Sequence, residues 1–251
     1  MKKIIKNLTF GMLIVVLLTS CASSKDLVYL QGTVPQEVQE QLLNYEPKLQ
    51  PDDLVSIHVS GLDVLASASF NIYESSGYGA PKLLPYLVNK EGMIHFPVLG
   101  AVQVNGLTTL ELTRHLEEKI KEYLVNPIVN IRLLNFKISV MGDVKVPGAY
   151  TIPNERITIL EALALAGDLS IYGKRKDVLL IREVSGKREV TTLDLTNRTL
   201  FQSPYYYLAQ NDVIYVAPNK AKINSSAIGS TAGIILSSIS TLVSLIAIFT
   251  R

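Results

Sequence analysis

The chain has no tryptophan, a single cysteine and three histidines among its 251 residues. One cysteine excludes an intrachain disulfide and any cysteine-rich metal site. The histidines, His58, His95 and His115, stand far apart and form no HExxH pattern or other ligand spacing. His115 falls on the polar face of a helix described below and reads as a solvated histidine. No glycine-rich phosphate loop and no GxSxG nucleophile elbow occur. Paired carboxylates for glycoside hydrolysis have one candidate, Asp52-Asp53. Neighbours entering a strand point apart, and a turn accounts for both. An excess of one charge is also missing: 24 Lys and Arg against 22 Asp and Glu give a net charge of +2. The basic residues are scattered, so charge suggests no nucleic-acid partner. Together these absences predict a protein without bond chemistry, cofactor or metal.

Apolar sequence is present at both ends. Lys2, Lys3 and Lys6 form a basic start, and residues 10–18 are an apolar run too short to span a membrane comfortably. Leu18-Thr19-Ser20-Cys21 follows. Residues 1–20 read as a secretory signal, and these four residues resemble the bacterial lipobox, whose cysteine is acylated and becomes the first mature residue. The alternative is an ordinary signal cleaved near Ala22, leaving a free thiol. No Asp follows Cys21, so nothing resembles the inner-membrane retention signal. A lipid-anchored protein of the bacterial outer membrane is expected, with its soluble domains in the periplasm.

At the other end, no charged residue occurs between Lys222 and Arg251. Residues 228–249 would span roughly 33 Å as a helix, enough to cross a bilayer core. Residues 224–250 are therefore expected to be one transmembrane helix. At about 100° per residue, Ser226, Ser230, Gly233, Ser237, Ser240 and Ser244 share one face. Ile228, Ile235, Ile239, Leu242, Ile246 and Phe249 share the other. Thr231 and Ser238 interrupt the apolar side, where hydroxyls can bond the preceding turn. Two readings stay open. Small residues let two helices pack closely around a plain anchor. Alternatively, several helices form a barrel whose wet lumen is lined by those six residues. An acylated Cys21 makes a second anchor redundant, which favours the barrel.

Between the ends, residues 21–46 read as a lipidated, extended tether with a short helix over 36–43. Leu49-Gln50-Pro51-Asp52-Asp53 is a turn. Val55, Ile57 and Val59 alternate as a half-buried strand with His58 outward. Residues 61–85 read as a loop with short strand pieces. Strands follow at 87–88, 93–96 (a return strand after the 90–92 turn) and 102–104. Thr108-Thr109-Leu110-Glu111 fits a capping box. It opens a helix with Leu112, Leu116, Ile120 and Leu124 on one face, stopped at Asn126-Pro127. A strand with Val129, Ile131 and Leu133 completes a compact α+β domain over 47–135.

Phe136, Ile138 and Val140 begin a hairpin returning at Tyr150. Thr158 and Glu161 fit a second capping box, and Gly167 ends that helix. Strands at 178–182 and 190–193 flank a turn at 185–186, and a last strand over 213–216 stops at Pro218. This order suits a β-grasp domain over 136–218. Residues 208–213 weakly echo residues 49–54: an acidic turn feeding a strand. The run Tyr205, Tyr206 and Tyr207 could stack on sugar rings, or form a half-buried strand or subunit edge.

These residues resemble a known family. Residues 49–54, Glu91-Gly92-Met93-Ile94 and Gly106-Leu107-Thr108 are similar to the polysaccharide-export domain of outer-membrane capsule and exopolysaccharide export lipoproteins. Residues 140–150, 157–162 and Ala166-Gly167 resemble the soluble-ligand-binding β-grasp (SLBB) domain that follows it there. The resemblance implies an α+β chain: a small export domain, an SLBB domain and one C-terminal transmembrane helix. It implies a homo-oligomeric ring forming a conduit for capsular or exopolysaccharide across the outer membrane. The ring would be supplied by an inner-membrane polysaccharide copolymerase or chain-length regulator. One β-grasp domain, where better-known relatives carry two, suggests a shorter ring. The other functional class that fits is a membrane-tethered glycan-binding or assembly protein without a pore.

Overall fold

The computed structural model describes residues 24–33, 45–74, 81–184 and 186–228, and the helical residues 233–234, 237–238 and 240–241. Cys21, Ser230, Ser244 and the helix expected over 36–43 lie outside the described residues.

Strand β1 (Leu54–Ser60) is followed by a short helix, α1 (Val64–Ala68), and a small hairpin, β2 (Tyr73–Glu74) with β3 (Lys82–Leu83). Then come β4 (Tyr86–Leu87), β5 (Met93–Phe96), β6 (Gly100–Gln103), α2 (Thr109–Ile120) and β7 (Ile128–Leu133). The alternation in β1 holds: Val55, Ile57 and Val59 are buried and His58 is exposed. β1 lies between β4 and β7, antiparallel to both, with Ile57 opposite Ile131 and Val55 opposite Tyr86.

Helix α2 starts where both halves of its capping box form. The Thr108 hydroxyl accepts from the Glu111 N–H, and the Glu111 carboxylate accepts from the Thr108 N–H. Leu112, Leu116 and Ile120 are fully buried among the strand side chains. Burial of such a side chain contributes about 1.5–3 kcal/mol, so this face holds the helix on the sheet.

Three expectations change here. The loop over 61–85 contains α1, where the Asp63 carboxylate caps the Leu65 and Ala66 N–H groups. β5 returns not against β4 but against β6, with Ile94 opposite Val102. Helix α2 ends at Ile120, and turns rather than helix carry the chain to Pro127.

The second unit contains β8 (Lys137–Gly142), β9 (Gly148–Thr151), α3 (Ile159–Leu165), β10 (Gly173–Val184), β11 (Lys187–Leu193), a 3-10 turn (Arg198–Gln202) and β12 (Val213–Pro218). Helix α4 (Lys220–Ile228) follows. Its sheet order is β11-β10-β12-β8-β9. The first and last strands, β8 and β12, therefore lie side by side and parallel, as in a β-grasp. Ile159, Ala162 and Leu163 of α3 are buried against Ile138, Val140, Leu180 and Ile214. The Thr158–Glu161 capping box forms, and Gly167, at a left-handed φ of 73°, ends the helix. Strand β10 starts earlier than expected, at Gly173, with a bulge before Val178. Gly142 has a φ of 93°, and a Cβ there would sit 2.1 Å from the Val216 carbonyl oxygen.

The weak echo is a repeated turn. In both copies a carboxylate accepts from the backbone three residues back: Gln50 N–H to Asp53 and Ala209 N–H to Asp212, each at 2.8 Å. The residue before each carboxylate has a positive φ, 71° at Asp52 and 65° at Asn211. Each turn follows a buried leucine, Leu49 or Leu208, and opens a strand, β1 or β12. Asn135, between the units, holds both. Its side chain bonds the Asp52 carbonyl and the Leu54 N–H, and its carbonyl accepts from the Gln210 amide.

Candidate functional site

The described part of the tether is not free. Ser24–Asp26 is a 3-10 turn, and residues 26–31 then run along the β-grasp unit. The Leu30 and Gln31 N–H groups donate to the carbonyls of Leu195 and Thr196. Asp26 pairs with Lys176 of β10 at 2.6 Å. The Tyr29 hydroxyl donates to the Asp168 carboxylate at 2.5 Å, and the Arg175 guanidinium lies 5.2 Å from the Tyr29 ring centre. Burial, then the Asp168 carboxylate, push the Tyr29 phenol up, so it stays a donor at any physiological pH.

The C-terminal helix leaves the same unit close by. Pro218 pairs with Gly173 at the start of β10, and the Asn219 N–H donates to the Tyr172 carbonyl. Lys222 of α4 reaches back to Asp143 at 2.7 Å, and Ser170 bonds the same carboxylate oxygen at 2.8 Å. The Asp143 side chain is 3% exposed. The Lys222 side chain is 49% exposed, so water screens the pair, which contributes about 1 kcal/mol. The first turn of α4 is therefore fixed to the fold. Neither this clamp nor the N-terminal one was expected from the sequence. The only hint was that Lys222 is the last charge before the apolar run.

Of the six small residues on one helix face, four are described. Ser226 lies in α4, and Gly233, Ser237 and Ser240 lie in helical residues beyond it; all are exposed. The hydroxyls of Ser226, Ser237 and Ser240 each donate to the carbonyl three residues earlier, at 2.7, 2.9 and 2.9 Å. Such bonding satisfies a hydroxyl within its own helix. These serines therefore have a partner without water, and they suit a lumen and a close helix contact equally. Among the described residues no helix is long and apolar enough to cross a membrane.

The tyrosines have partners within the chain. All three are half-buried; Tyr205 and Tyr206 lie in a turn and bend, and Tyr207 makes an isolated antiparallel bridge to Thr158 rather than joining a strand. Tyr207 stacks on Tyr45, with ring centres 4.7 Å apart and planes 8° from parallel. Tyr206 meets Phe201 and Tyr207 edge-on and packs against the β-grasp core. Tyr205 lies under Arg182, 5.2 Å from its ring centre. Arg182 grips Asp212 through two guanidinium nitrogens and donates to the Tyr207 carbonyl at 3.0 Å. Burial alone would lower the Arg182 pKa; the Asp212 carboxylate reverses this and leaves it raised.

The corresponding Asp53 has no cation among the described residues. One oxygen holds the Gln50 N–H, and the other is buried without a protein partner. Burial pushes this carboxyl up to about 6. Asp52 is exposed while Asp53 is buried, so the two do not form a reactive pair. His58 and His95 are exposed on β1 and β5, and His115 is half-exposed on α2.

The protein is a two-unit α+β chain with a β-grasp second half, to which both the segment over residues 26–31 and the root of helix α4 are fixed. Its two halves match two family models: "Polysaccharide biosynthesis/export protein" over residues 28–134 and "SLBB domain" over residues 136–216. The chain belongs to the polysaccharide export family that carries an SLBB domain. It is similar to the EPS I polysaccharide export outer membrane protein EpsA of Ralstonia solanacearum, 27% identical over 204 residues, covering 76% of this chain and 54% of that protein. The protein of that name in Ralstonia nicotianae is 34% identical over 95 residues, covering 37% of this chain and 25% of the relative. The chain thus spans about half the length of the first relative and a quarter of the second.

Proposed function

We propose that this chain is an outer-membrane lipoprotein that oligomerises into a ring and conducts exopolysaccharide across the outer membrane without bond chemistry. The observation that supports the reading is that residues 26–31 and residues 218–222 are both held at one end of the β-grasp unit. The segment after Cys21 is bound there by Asp26, Tyr29 and Gln31, and the C-terminal helix is bound there by Lys222 and Asn219. A lipid on Cys21 and a membrane-crossing helix over 224–250 then attach the β-grasp unit next to the bilayer. The export unit projects into the periplasm, where an inner-membrane polysaccharide copolymerase can meet it. The names of the relatives, polysaccharide export outer membrane proteins, support the cargo and the location.

Cys21→Ala tests the anchor: it should leave an unprocessed or mislocalised precursor. An unmodified mature N-terminus at Ala22 in the wild type would refute it. Single cysteines test the lumen. At 230, 237 and 244 they should react with a membrane-impermeant thiol reagent, and at 235, 239 and 246 they should not. Silence on both faces of an inserted protein would favour a tether without a pore.

A further inference from the structure

The end of the β-grasp unit around Asp143 carries more than two chain exits. Val146, Leu165, Ile171 and Tyr172 are 58%, 51%, 64% and 45% exposed. The backbone gathers them. The Val146 N–H donates to the Ala166 carbonyl, beside Leu165. Ser170 donates to the Asp143 carbonyl and Gly173 to the Ser170 carbonyl, which folds Ile171 and Tyr172 into a tight loop beside Asp143. The Tyr172 carbonyl in turn holds Asn219, the residue before α4.

Three of the acids near this end are paired with lysines: Asp143 with Lys222, Asp26 with Lys176 and Asp177 with Lys174. Asp168 and Asp194 are held by neutral donors, the Tyr29 hydroxyl and Thr196. Lys145 and Lys220 are exposed and have no acidic partner among the described residues. Aliphatic and aromatic tips flanked by lysines suit a lipid headgroup boundary, where the apolar parts sink and the ammonium groups meet phosphates.

Chain length sets how far this surface can stand from a membrane. Cys21 precedes Ser24 by three residues, which reach at most about 10 Å when extended. Ser24–Asp26 is itself held on β10 by the Asp26–Lys176 pair. An acyl chain on Cys21 therefore keeps this end close to the bilayer, which favours lipid over a second copy as its occupant.

We propose that this surface rests on the periplasmic leaflet, with Val146, Leu165, Ile171 and Tyr172 in the headgroup boundary and Lys145 and Lys220 on anionic lipid phosphates. The inference rests on acylation of Cys21. It makes the β-grasp unit a third membrane contact that fixes the tilt of the periplasmic domains.

The absence of tryptophan provides a clean test. Ile171→Trp and Tyr172→Trp are made separately in the full-length acylated protein. Tyr123→Trp is the reference, because Tyr123 is 55% exposed and lies near the end of the β1–β7 ladder away from Asn135. Each protein is reconstituted into phosphatidylethanolamine–phosphatidylglycerol vesicles with brominated acyl chains. Tryptophan at 171 and 172 should be quenched, as expected for a side chain at the acyl boundary, and tryptophan at 123 should not. Lys145→Glu with Lys220→Glu should weaken quenching at 172 while flotation is unchanged. Protein that floats with the vesicles but shows 171 and 172 as unquenched as 123 would overturn the inference and leave the anchor intact. That is also the result if a second copy covers this surface. Quenching at 172 that ignores the charge reversal would overturn the phosphate contacts. Protein that does not float would remove the anchor and this inference with it.

Discussion

Asp53→Asn isolates a buried carboxyl that, unlike Asp143, has no cation beside it among the described residues. The wild-type side chain is 1% exposed and accepts the Gln50 N–H through one oxygen. Desolvation is the main cause of its raised pKa; the Gln50 bond opposes the rise and the Asp52 charge adds to it. A carboxyl pushed up from an ordinary value near 4 to about 6 binds its proton more tightly folded than unfolded. Stability is then greatest below about pH 4, falls as pH rises, and has lost this contribution above about pH 6. At about 1.4 kcal/mol per pH unit, the ionised form should cost the fold roughly 2–3 kcal/mol. The asparagine carbonyl can still accept from Gln50, and its amide is neutral at every pH. Urea unfolding of the full chain, followed at pH 4.5 and 7.5, reads the difference. Wild type should lose about 2 kcal/mol more than Asp53→Asn between those pH values. Parallel pH profiles for the two proteins would refute the reasoning.

The equivalent change in the second turn should behave in the opposite way. Asp212→Asn strips Arg182 of its buried partner and should cost about 3–5 kcal/mol at neutral pH, seen as a lower urea midpoint. Lys222→Ala should cost less, about 1 kcal/mol, because the lysine is half-exposed, and should speed hydrogen exchange at the start of α4; unchanged exchange would mean that the Asp143 clamp does not hold the helix. Gly142→Ala should destabilise by at least about 3 kcal/mol, because its Cβ would meet the Val216 carbonyl at 2.1 Å and the φ of 93° is left-handed. A normal melting temperature for that variant would contradict the β8–β12 register.

Features that are local in sequence were legible before the structure. Both capping boxes lie within four residues, and both formed. The two-residue alternation of β1 and β8 identified buried faces that the sheets use. Helix α1 was missed because its apolar residues point outward: Val64 and Leu65 are 75% and 86% exposed, so no buried periodicity marks it. The pairing of β5 with β6 was missed because the 90–92 turn looks like a hairpin with β4, while β4 is taken up by β1. The two acidic turns read alike in sequence and differ in chemistry, since the arginine that completes Asp212 arrives from β10, 30 residues away. The Tyr29–Asp168 and Lys222–Asp143 contacts bridge 139 and 79 residues, distances over which a single sequence gives no pairing signal.

The native mass of the protein extracted in mild detergent tests the proposed conduit most directly. The chain is 27.6 kDa. The proposed ring requires one dominant species at a whole-number multiple of the protomer mass, large enough for the proposed membrane-crossing helices to enclose a lumen. A monomer that remains monomeric across mild detergents and protein concentrations would contradict the conduit and leave a tethered, pore-free protein.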